Sequence, residues 1–471
     1  MLDNLNKNGL HEKKKKILFL CDDPRFNSGI ATMAREIILG TCHVFDYAVV
    51  GGALKHPEEG KIVDISNSIK QEIGVDCSVK IYPVSGYGTQ ELVRNLLTVE
   101  NPDLLLHFTD PRYWTWLYQI DHEIRQRIPI TYLNIWDCPP PPMYNKPYYK
   151  SCDLLMNISK QTYGLVHKVL KGENYKDWQI TYVPHGINDK MFYPIGTSSA
   201  EYSKVLELRK TFFKNIKDIN DSFVFLFNSR NIRRKQIPDI ILAYKVFCDS
   251  LTKEEASKCV LMLHTQPVDE NGTNLIEVIE TLCPVYNVQF TEKSLDVKNM
   301  NLLYNASDVL INISSNEGWG LSATEAIMCG KCVIVNMTGG LQDQVGLLKY
   351  SGQPVTKEDY KDENWHSNHD GRYINHGPWA IPIIPSNRSI QGSVPTPYIF
   401  DDRVKFEDVA EAMKIWYNTS KEERDAAGIK GRQYLFDNKM NASGMCENVI
   451  NDITTCLQNF KPKERFSLNK L

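Results

Sequence analysis

Two glutamates within one short run of the sequence are the residues best placed to do chemistry. Glu317 and Glu325 have seven residues between them, in SSNEGWGLSATEAIMCGKCVIVNMTGGLQDQV (residues 314–345). An apolar, strand-like segment precedes Glu317, and a helix is predicted from about Ser322. Backbone N–H groups of a glycine-rich loop and of a helix N-terminus bind phosphate, whereas carboxylates accept hydrogen bonds from hydroxyl groups. The run therefore predicts a site for a ligand with both phosphate and hydroxyl groups, such as a nucleotide sugar.

The loop between the two glutamates is expected to bind the diphosphate of that ligand through its backbone. Glu317 would face the sugar hydroxyls, and Glu325, one turn into the helix, would accept hydrogen bonds from a ribose diol. Two solvated surface glutamates are the alternative interpretation, but the combination of strand, loop and helix argues against it. The residues predicted to line the diphosphate are Gly318, Trp319, Gly320 and Leu321.

A second group of candidate residues follows the predicted strand Phe223–Asn228, in FVFLFNSRNIRRKQIP. Arg230 and Lys235 belong to a cluster of cations just past the carboxyl end of this strand, where ligands bind in open α/β sheets. Cations there would stabilise the negative charge that develops on a departing diphosphate. A basic surface turn is the alternative if the cluster stands alone.

Three further candidates lie at predicted strand ends. Gly29, in CDDPRFNSGI, follows the first strand and precedes a helix, so its backbone can approach a phosphate or a sugar closely. The G-x-G-x-x-G pattern of dinucleotide-binding folds is missing there, which argues against hydride transfer. Asp137, followed by four prolines, is either a rigidly held active-site acid or the cap of a turn. His264 ends another strand and is assigned to the donor site.

Composition excludes several classes of protein. With 471 residues, 42% of them apolar, and a net charge of −3, the chain is long enough for two domains and has no overall field that attracts nucleic acid or membranes. The twelve scattered cysteines favour reduced thiols in a cytoplasmic protein. We expect no signal peptide and no stable membrane insertion; the basic run Lys13–Lys16 leaves peripheral contact with anionic lipid open. No metal site is predicted, because no carboxylate spacing supports the histidines of residues 366–376.

Short apolar strands alternate with helical segments along the whole chain, which predicts parallel sheets covered on both faces. We predict an α/β protein with two doubly wound, Rossmann-like domains facing across a cleft. The first domain would span residues 1–190 and the second 195–440, with a last helix at about 440–460 returning to the first. Residues 351–400 show little periodicity and are expected to be functional or an excursion. The predicted strands are Ile17–Cys21, Phe45–Val50, Val79–Tyr82, Leu104–Phe108, Ile130–Ile135, Leu154–Ile158, Ile180–Val183, Phe223–Asn228, Cys259–His264, Val288–Phe290, Val309–Ile313 and Cys332–Val335.

Taken together, these residues resemble the glycosyltransferases of the GT-B fold, close to glycosyltransferase family 4. The Glu317–Glu325 spacing matches the family's E-x7-E signature, and Gly339-Gly340 matches the turn after the next strand. Arg230 and Lys235 match the family's Arg…Lys pair. The resemblance extends to Gly29 and to the segment VPHGIN (residues 183–188) at the predicted domain junction.

The resemblance implies a retaining transferase that uses a nucleotide-diphosphate sugar and needs no metal or other cofactor. Many relatives have a histidine where this chain has Trp136, so Asp137 takes part of that role or the acceptor site is rebuilt. Two alternatives remain: a GT-B nucleotide-sugar epimerase or hydrolase, and a catalytically silent nucleotide-sugar-binding protein. The acceptor is open among glycans, lipids, small molecules and modified DNA.

Overall fold

Two parallel β-sheets form the centre of the molecule. The computed structural model describes residues 13–213, 217–291, 295–362 and 373–464. His366 and His369, which belong to the histidines considered for a metal site, lie outside the described residues. All twelve strands predicted from the sequence are present, with ends shifted by at most a few residues. The predicted α/β fold class with two Rossmann-like units is confirmed.

The first domain is built on an eight-stranded sheet whose strands run in the order β3-β4-β2-β1-β5-β6-β7-β8. All neighbouring strands are parallel except β3, which pairs antiparallel with β4. The strands are β1 (Lys15–Asp22), β2 (Phe45–Ala53), β3 (Val63–Asp64), β4 (Val79–Ser85), β5 (Leu104–Phe108), β6 (Ile130–Asn134), β7 (Leu154–Asn157) and β8 (Ile180–Tyr182). The helices are α1 (Gly29–Thr41), α2 (Ser66–Ile73), α3 (Gln90–Val99), α4 (Thr115–Tyr118), α5 (Asp121–Ile124), α6 (Lys146–Lys150) and α7 (Lys160–Val169).

The second domain is built on a six-stranded, wholly parallel sheet in the order β11-β10-β9-β12-β13-β16. Its strands are β9 (Phe223–Asn228), β10 (Cys259–His264), β11 (Val288–Phe290), β12 (Val309–Asn312), β13 (Cys332–Asn336) and β16 (Ala380–Ile383). Around it lie α8 (Tyr202–Thr211), α9 (Ile237–Asp249), α10 (Lys253–Ser257), α11 (Leu275–Leu282), α12 (Val297–Asn305), α13 (Leu321–Met328), α14 (Phe406–Asn418) and α15 (Lys421–Asp437).

Both sheets owe their continuous apolar strands to helices on each face. In β1, Ile17 and Phe19 point into one apolar cluster, while Leu18 and Leu20 point into another on the opposite face. The same alternation occurs in β9, and every one of these side chains is nearly inaccessible. Because side chains alternate across a strand, burial on both faces requires an unbroken apolar run.

Two small antiparallel pairs interrupt the second domain in the region where the sequence shows little periodicity. The pair β14 (Leu348–Lys349) and β15 (Tyr373–Asn375) is short. The other is a hairpin of β17 (Asn387–Ser393) and β18 (Thr396–Arg403). This hairpin reaches the first domain, where the Phe400 N–H donates to the Pro139 carbonyl at 2.7 Å.

The last helix, α16 (Ala442–Asn459), lies against the first domain. The Cys446 thiol, on α16, is 3.5 Å from the Glu36 carbonyl of α1. A Cβ on Gly40 would lie only 2.3 Å from the Cys446 sulfur, so the close approach of the two helices depends on a glycine there. Among the described residues, no helix has the length and apolar character needed to cross a membrane.

Candidate active site

The loop after β12 carries Glu317, and three glycines determine its backbone conformation. Gly320, which precedes α13, has a φ of +89°, a conformation that other residues adopt only with strain. The Gly340 N–H donates to the Glu317 carbonyl at 3.0 Å. A Cβ on Gly339 would lie 1.6 Å from that same oxygen. The Gly339-Gly340 turn therefore fixes the backbone on which Glu317 stands.

Glu317 is the centre of a buried ion cluster. Its carboxylate bonds the Lys235 ammonium and lies 3.3 Å from the Arg234 guanidinium, and its side chain is only 10% exposed. Burial alone would raise the pKa of Glu317, but the two cations outweigh it and lower that pKa to about 2. Burial and the neighbouring Arg234 lower the pKa of Lys235 to about 8, against the opposing effect of Glu317. The two cations therefore lie beside Glu317, and the Asp137 carboxylate is close enough to oppose the effect of burial on the pKa of both.

Glu325 lies in α13 and is connected to the end of β9 by hydrogen bonds through Tyr304. The Tyr304 hydroxyl donates to its carboxylate, and Asn228, at the end of β9, donates to the Tyr304 oxygen at 2.7 Å. Burial raises the pKa of Glu325 to about 7, with the Tyr304 hydrogen bond working in the opposite direction. His264 is beside Asn228 in the sheet register, and its ring nitrogen bonds the Thr291 hydroxyl at 2.6 Å.

The first domain meets this loop directly. A Cβ on Gly29 would be 3.4 Å from Leu321, and a Cβ on Gly318 would be 3.0 Å from the Ile135 carbonyl. Burial lowers the pKa of the Arg234 guanidinium, but the carboxylates of Glu317 and Asp137 raise it above its ordinary value. The structure therefore brings residues from both sheets to one place, at the carboxyl ends of their strands.

Arg230 is positioned differently from its sequence partner Lys235. Its guanidinium is 64% exposed and donates to Asp269 at 2.9 Å, away from the Glu317 cluster. Trp319 is buried, donates its indole N–H to Thr324 at 2.8 Å and packs edge-on against His185. Only the backbone of Trp319 is therefore available to a ligand.

Three residues that contact Glu317 or Glu325, or support such a contact, were not among the site residues predicted from the sequence. Arg234 was visible in the sequence as one of four neighbouring cations, and the short 3-10 turn at Arg233–Lys235 decides which of them point inward. Tyr304 and Asn228 reach Glu325 from α12 and β9. No local sequence signal identifies them, because their contact with Glu325 arises only when the second domain folds.

The arrangement has the chemistry of an anion site flanked by hydrogen-bond acceptors. The N-terminal end of α13, Lys235 and Arg234 supply positive charge, and Glu317 and Glu325 supply carboxylates at either end of the first turn. The described residues contain no group of three His, Cys, Asp or Glu side chains arranged to hold a metal ion.

Comparison with protein families places the second domain. Residues 209–363 match the family model of glycosyl transferases group 1. The alpha-monoglucosyldiacylglycerol synthase of Acholeplasma laidlawii is 24% identical over 191 residues, which are 41% of this chain and 43% of that protein. The trehalose synthase of Pyrococcus horikoshii is 28% identical over 113 residues, 24% of this chain and 27% of that protein. The matches thus cover less than half of either curated relative.

Solved structures match over nearly the whole chain at low identity. Sucrose-phosphate synthase of Thermosynechococcus elongatus superposes with a TM-score of 0.64 at 14% identity, covering 94% of this chain and 100% of that one. Anabaena HepE in complex with UDP and glucose gives 0.61 at 12% identity, again covering 94% and 100%. The E. coli trehalose-6-phosphate structure bound with UDP-2-fluoro glucose has a TM-score of 0.62 at 13% identity, and the match covers 95% of this chain and 100% of that one. The chain has the two-domain GT-B fold of glycosyltransferases, and its second domain carries the glycosyl transferases group 1 segment.

Proposed function

We propose that this protein is a retaining glycosyltransferase that moves a sugar from a nucleotide-diphosphate sugar to an acceptor hydroxyl without a metal ion. The observation that carries the proposal is the cluster of the buried Glu317 and Lys235 with the partly exposed Arg234 at the start of α13, where Gly29 of the first domain approaches Leu321. Such a cluster suits a ligand whose charged diphosphate and neutral sugar lie side by side.

Each residue has a distinct role in this proposal. Lys235 and Arg234 neutralise the diphosphate together with the backbone of Gly318–Leu321. Arg230 joins them when it releases Asp269. Glu317 orients the sugar and holds the ammonium of Lys235 in place, and Glu325 accepts hydrogen bonds from the ribose. His264 and Gly29 complete the donor pocket, and Asp137 closes it from the first domain.

Departure of the diphosphate is the step that this cluster would assist. When the bond between the anomeric carbon and the diphosphate oxygen breaks, negative charge accumulates on the leaving group. The Arg234 guanidinium and the Lys235 ammonium, which are already held by contacts with Glu317, stabilise that charge without reorganising. The packing of the first domain against the loop excludes water, which would otherwise compete with the acceptor for the sugar.

The proposal is tested by a donor screen on the full-length protein. Isothermal titration with UDP-, GDP- and ADP-sugars, with and without EDTA, should reveal one donor class that binds equally well in both conditions. Glu317→Ala and Arg230→Ala should each reduce turnover by at least about tenfold, the loss of one charge-assisted contact. Glu254→Ala, at an exposed glutamate of α10, serves as the matched control. Intact turnover in the Glu317 and Arg230 variants would remove the site assignment.

Two alternative activities give different results in the same assay. A hydrolase or an epimerase would consume the donor without an acceptor, and a silent binding protein would bind the donor without consuming it. A transferase releases free nucleotide mainly when an acceptor is added, and the anomeric configuration of its product, read by NMR, decides between retention and inversion.

A further inference from the structure

Two exposed aromatic rings, Tyr113 and Phe26, and a carboxylate with one described hydrogen bond, Asp22, lie at the carboxyl ends of first-domain strands. From this arrangement we propose that the acceptor is a neutral, polyhydroxylated compound, a glycan or a simple glycoside, that stacks on Tyr113 and donates a hydroxyl hydrogen bond to Asp22. The proposal rests on the transferase function above, and it selects among the acceptor classes that the sequence leaves open.

Tyr113 is the exposed outer ring of an aromatic stack that continues through Tyr87 into the domain. Its ring is 61% exposed and lies 5.2 Å from the ring of Tyr87, nearly parallel to it. Tyr87 in turn packs against the buried Trp114, 5.4 Å away, and Trp114 packs against Trp116. A flat ring face that is fixed from behind and open to solvent is suited to the apolar face of a sugar ring.

A second exposed ring, Phe26, follows Asp22 by four residues in the same loop. Phe26 is 38% exposed and stacks on His56 at 4.9 Å. His56 is buried and bonded to the carboxylate of Asp23 at 3.0 Å, so this platform is also fixed from behind. An exposed ring face four residues after Asp22 adds an apolar contact to the polar one that this carboxylate provides.

Asp22 has acceptor capacity to spare. It ends β1, the strand at the middle of the first sheet, and accepts a hydrogen bond from the Ser28 hydroxyl at 2.7 Å. Within the described part of the chain, its side chain has no other hydrogen-bond partner. Burial raises the pKa of this carboxyl, with Ser28 acting in the opposite direction. A half-buried carboxylate with free lone pairs is a strong acceptor for a hydroxyl donor.

This wall leads directly to the donor loop. Ser28 caps the N-terminus of α1 and Gly29 is the first residue of that helix. A Cβ on Gly29 would touch Leu321 at 3.4 Å, so Asp22 is connected to the donor loop through only two intervening residues in contact. An acceptor hydroxyl bound at Asp22 would therefore face the sugar that Glu317 orients.

The charges on the wall favour a neutral acceptor over a phosphorylated one. Arg25 donates to Asp23 and Glu58, and Arg112 makes a forked pair with Asp110, with contacts of 2.9 and 3.0 Å from its Nε. Both guanidinium groups are thus neutralised by carboxylates, and Asp22 would repel a phosphate. DNA bases also stack on aromatic rings, but DNA binding requires unpaired Lys or Arg side chains that contact the backbone phosphates.

The experiment measures acceptor binding and acceptor use separately. Saturation-transfer NMR on the intact protein, with UDP present, is recorded with maltotriose, cellotriose, glucose 6-phosphate and a short single-stranded DNA. Co-sedimentation with vesicles of phosphatidylcholine and phosphatidylglycerol covers lipid surfaces. The neutral saccharides should give ring-proton saturation and should stimulate nucleotide release from the best donor, and the phosphorylated and lipid probes should not.

Substitutions then locate the site. Tyr113→Ala and Asp22→Asn should each raise the acceptor KM by about tenfold, the loss of one stacking or one charge-assisted contact, with the donor Kd changed by less than about twofold. Tyr350→Ala, at a tyrosine that is 71% exposed on the second domain, and Asp76→Asn, at an acid whose side chain is 82% exposed, are the matched controls.

Failure of this proposal is distinguishable from failure of the transferase function. Binding of the DNA or of the vesicles without any saccharide signal would overturn the acceptor proposal. An acceptor KM that is unchanged in both Tyr113→Ala and Asp22→Asn would also overturn it. If saccharides bind at Tyr113 while no nucleotide sugar is bound or consumed, the acceptor inference stands and the transferase proposal falls.

Discussion

The ion pair between Glu317 and Lys235 is removed from water, and this makes it sensitive to the loss of one partner. Lys235→Met should destabilise the fold by about 3 kcal/mol, because Glu317 would keep its charge with only Arg234 nearby. The double variant Lys235→Met/Glu317→Gln should recover part of that loss, since no unpaired carboxylate remains. Urea unfolding midpoints of the two variants and the wild type measure this difference. A double variant less stable than Lys235→Met would contradict it.

Glu325 gives the site a pH dependence near neutrality. Its pKa in the folded protein is raised from 4.5 to about 7, so the folded state binds more protons than the unfolded state between these values. The contribution of protonated Glu325 to the free energy of unfolding is therefore fully present below pH 4.5 and is lost as the pH rises through about 7. Allowing for the half-buried position of the side chain, the loss is on the order of 2 kcal/mol. Thermal unfolding of Glu325→Gln should lose this dependence.

Donor affinity should change with pH in the opposite direction from stability. The ionised Glu325 accepts hydrogen bonds on both oxygens, whereas the protonated form accepts fewer. Binding of the best nucleotide sugar should therefore strengthen by about tenfold from pH 5 to pH 7, a range in which Lys235 keeps its proton, and Glu325→Gln should bind it weakly at both. A wild-type affinity that is constant across this range would separate Glu325 from the ribose.

Residue types that could do chemistry are visible in the sequence, whereas the contacts between them are not. Glu317 and Lys235 could be chosen because each stands next to a glycine-rich or apolar local pattern. The sequence favoured Arg230 over Arg234, whereas the structure places Arg230 at the surface beside Asp269 and Arg234, in the 3-10 turn Arg233–Lys235, beside Glu317. The burial that shifts the pKa of Glu325 depends on Tyr304, whose position is set by tertiary packing.

At the scale of elements, the Gly339-Gly340 turn after β13 fixes the backbone of the loop that carries Glu317. Gly339 has a φ of +51° and its Cα faces the Glu317 carbonyl, so any Cβ there must displace the loop. Gly339→Ala should destabilise the protein by several kcal/mol and weaken donor binding by at least about tenfold. Gly352→Ala is the matched control: its φ is +78° but a Cβ there meets open space.

The control separates backbone strain from steric displacement. Gly352→Ala should cost about 1 kcal/mol from its left-handed conformation alone and leave donor binding unchanged. Urea unfolding and donor titration of both variants provide the measurement. Equal losses of affinity in the two variants would mean that the Gly339-Gly340 turn does not hold Glu317.

Elements with strong local patterns were predictable, and those that depend on a neighbouring surface were not. Twelve strands follow from apolar runs, and four of them have the predicted ends. The two-residue edge strand β3 has no such pattern. The hairpin of β17 and β18 consists largely of exposed or half-exposed residues, so its sequence lacks the alternation that burial on one face produces. The two strands pair with each other, and the hairpin contacts the first domain at Pro139 and Pro141.

At the scale of the whole molecule, one apolar cluster extends from the first sheet through the domain junction into the second. It includes Ile17 and Phe19 of β1, Ile187 at the junction, and Val224 and Leu226 of β9. Polar contacts reinforce it: the buried Asp343 accepts hydrogen bonds from the Lys160 N–H and the Tyr182 hydroxyl, each at 2.9 Å. The domain contact is thus continuous with the core. Sequence patterns identify the apolar residues but not which domain each one contacts.

The hairpin adds a second connection at the mouth of the cleft, and it should control loss of the donor to water. The Tyr398 hydroxyl accepts from the Met143 N–H at 3.0 Å and donates to the Pro141 carbonyl at 3.1 Å. Its ring packs edge-on against Tyr144 at 5.0 Å. Tyr398→Phe keeps the ring contact and removes both hydrogen bonds, weakening this connection by about 1–3 kcal/mol.

Because a looser cleft admits water to the bound donor, Tyr398→Phe should raise the ratio of donor hydrolysis to transfer severalfold while donor affinity changes little. Ile390→Ala, on the same hairpin at a side chain that is 67% exposed, should leave the ratio at the wild-type value. Released nucleotide and transferred product, counted in the same reaction with the preferred acceptor, give the ratio directly. An unchanged ratio in Tyr398→Phe would show that the hairpin contact does not keep water from the donor, and that the interface at Asp343 closes the cleft alone.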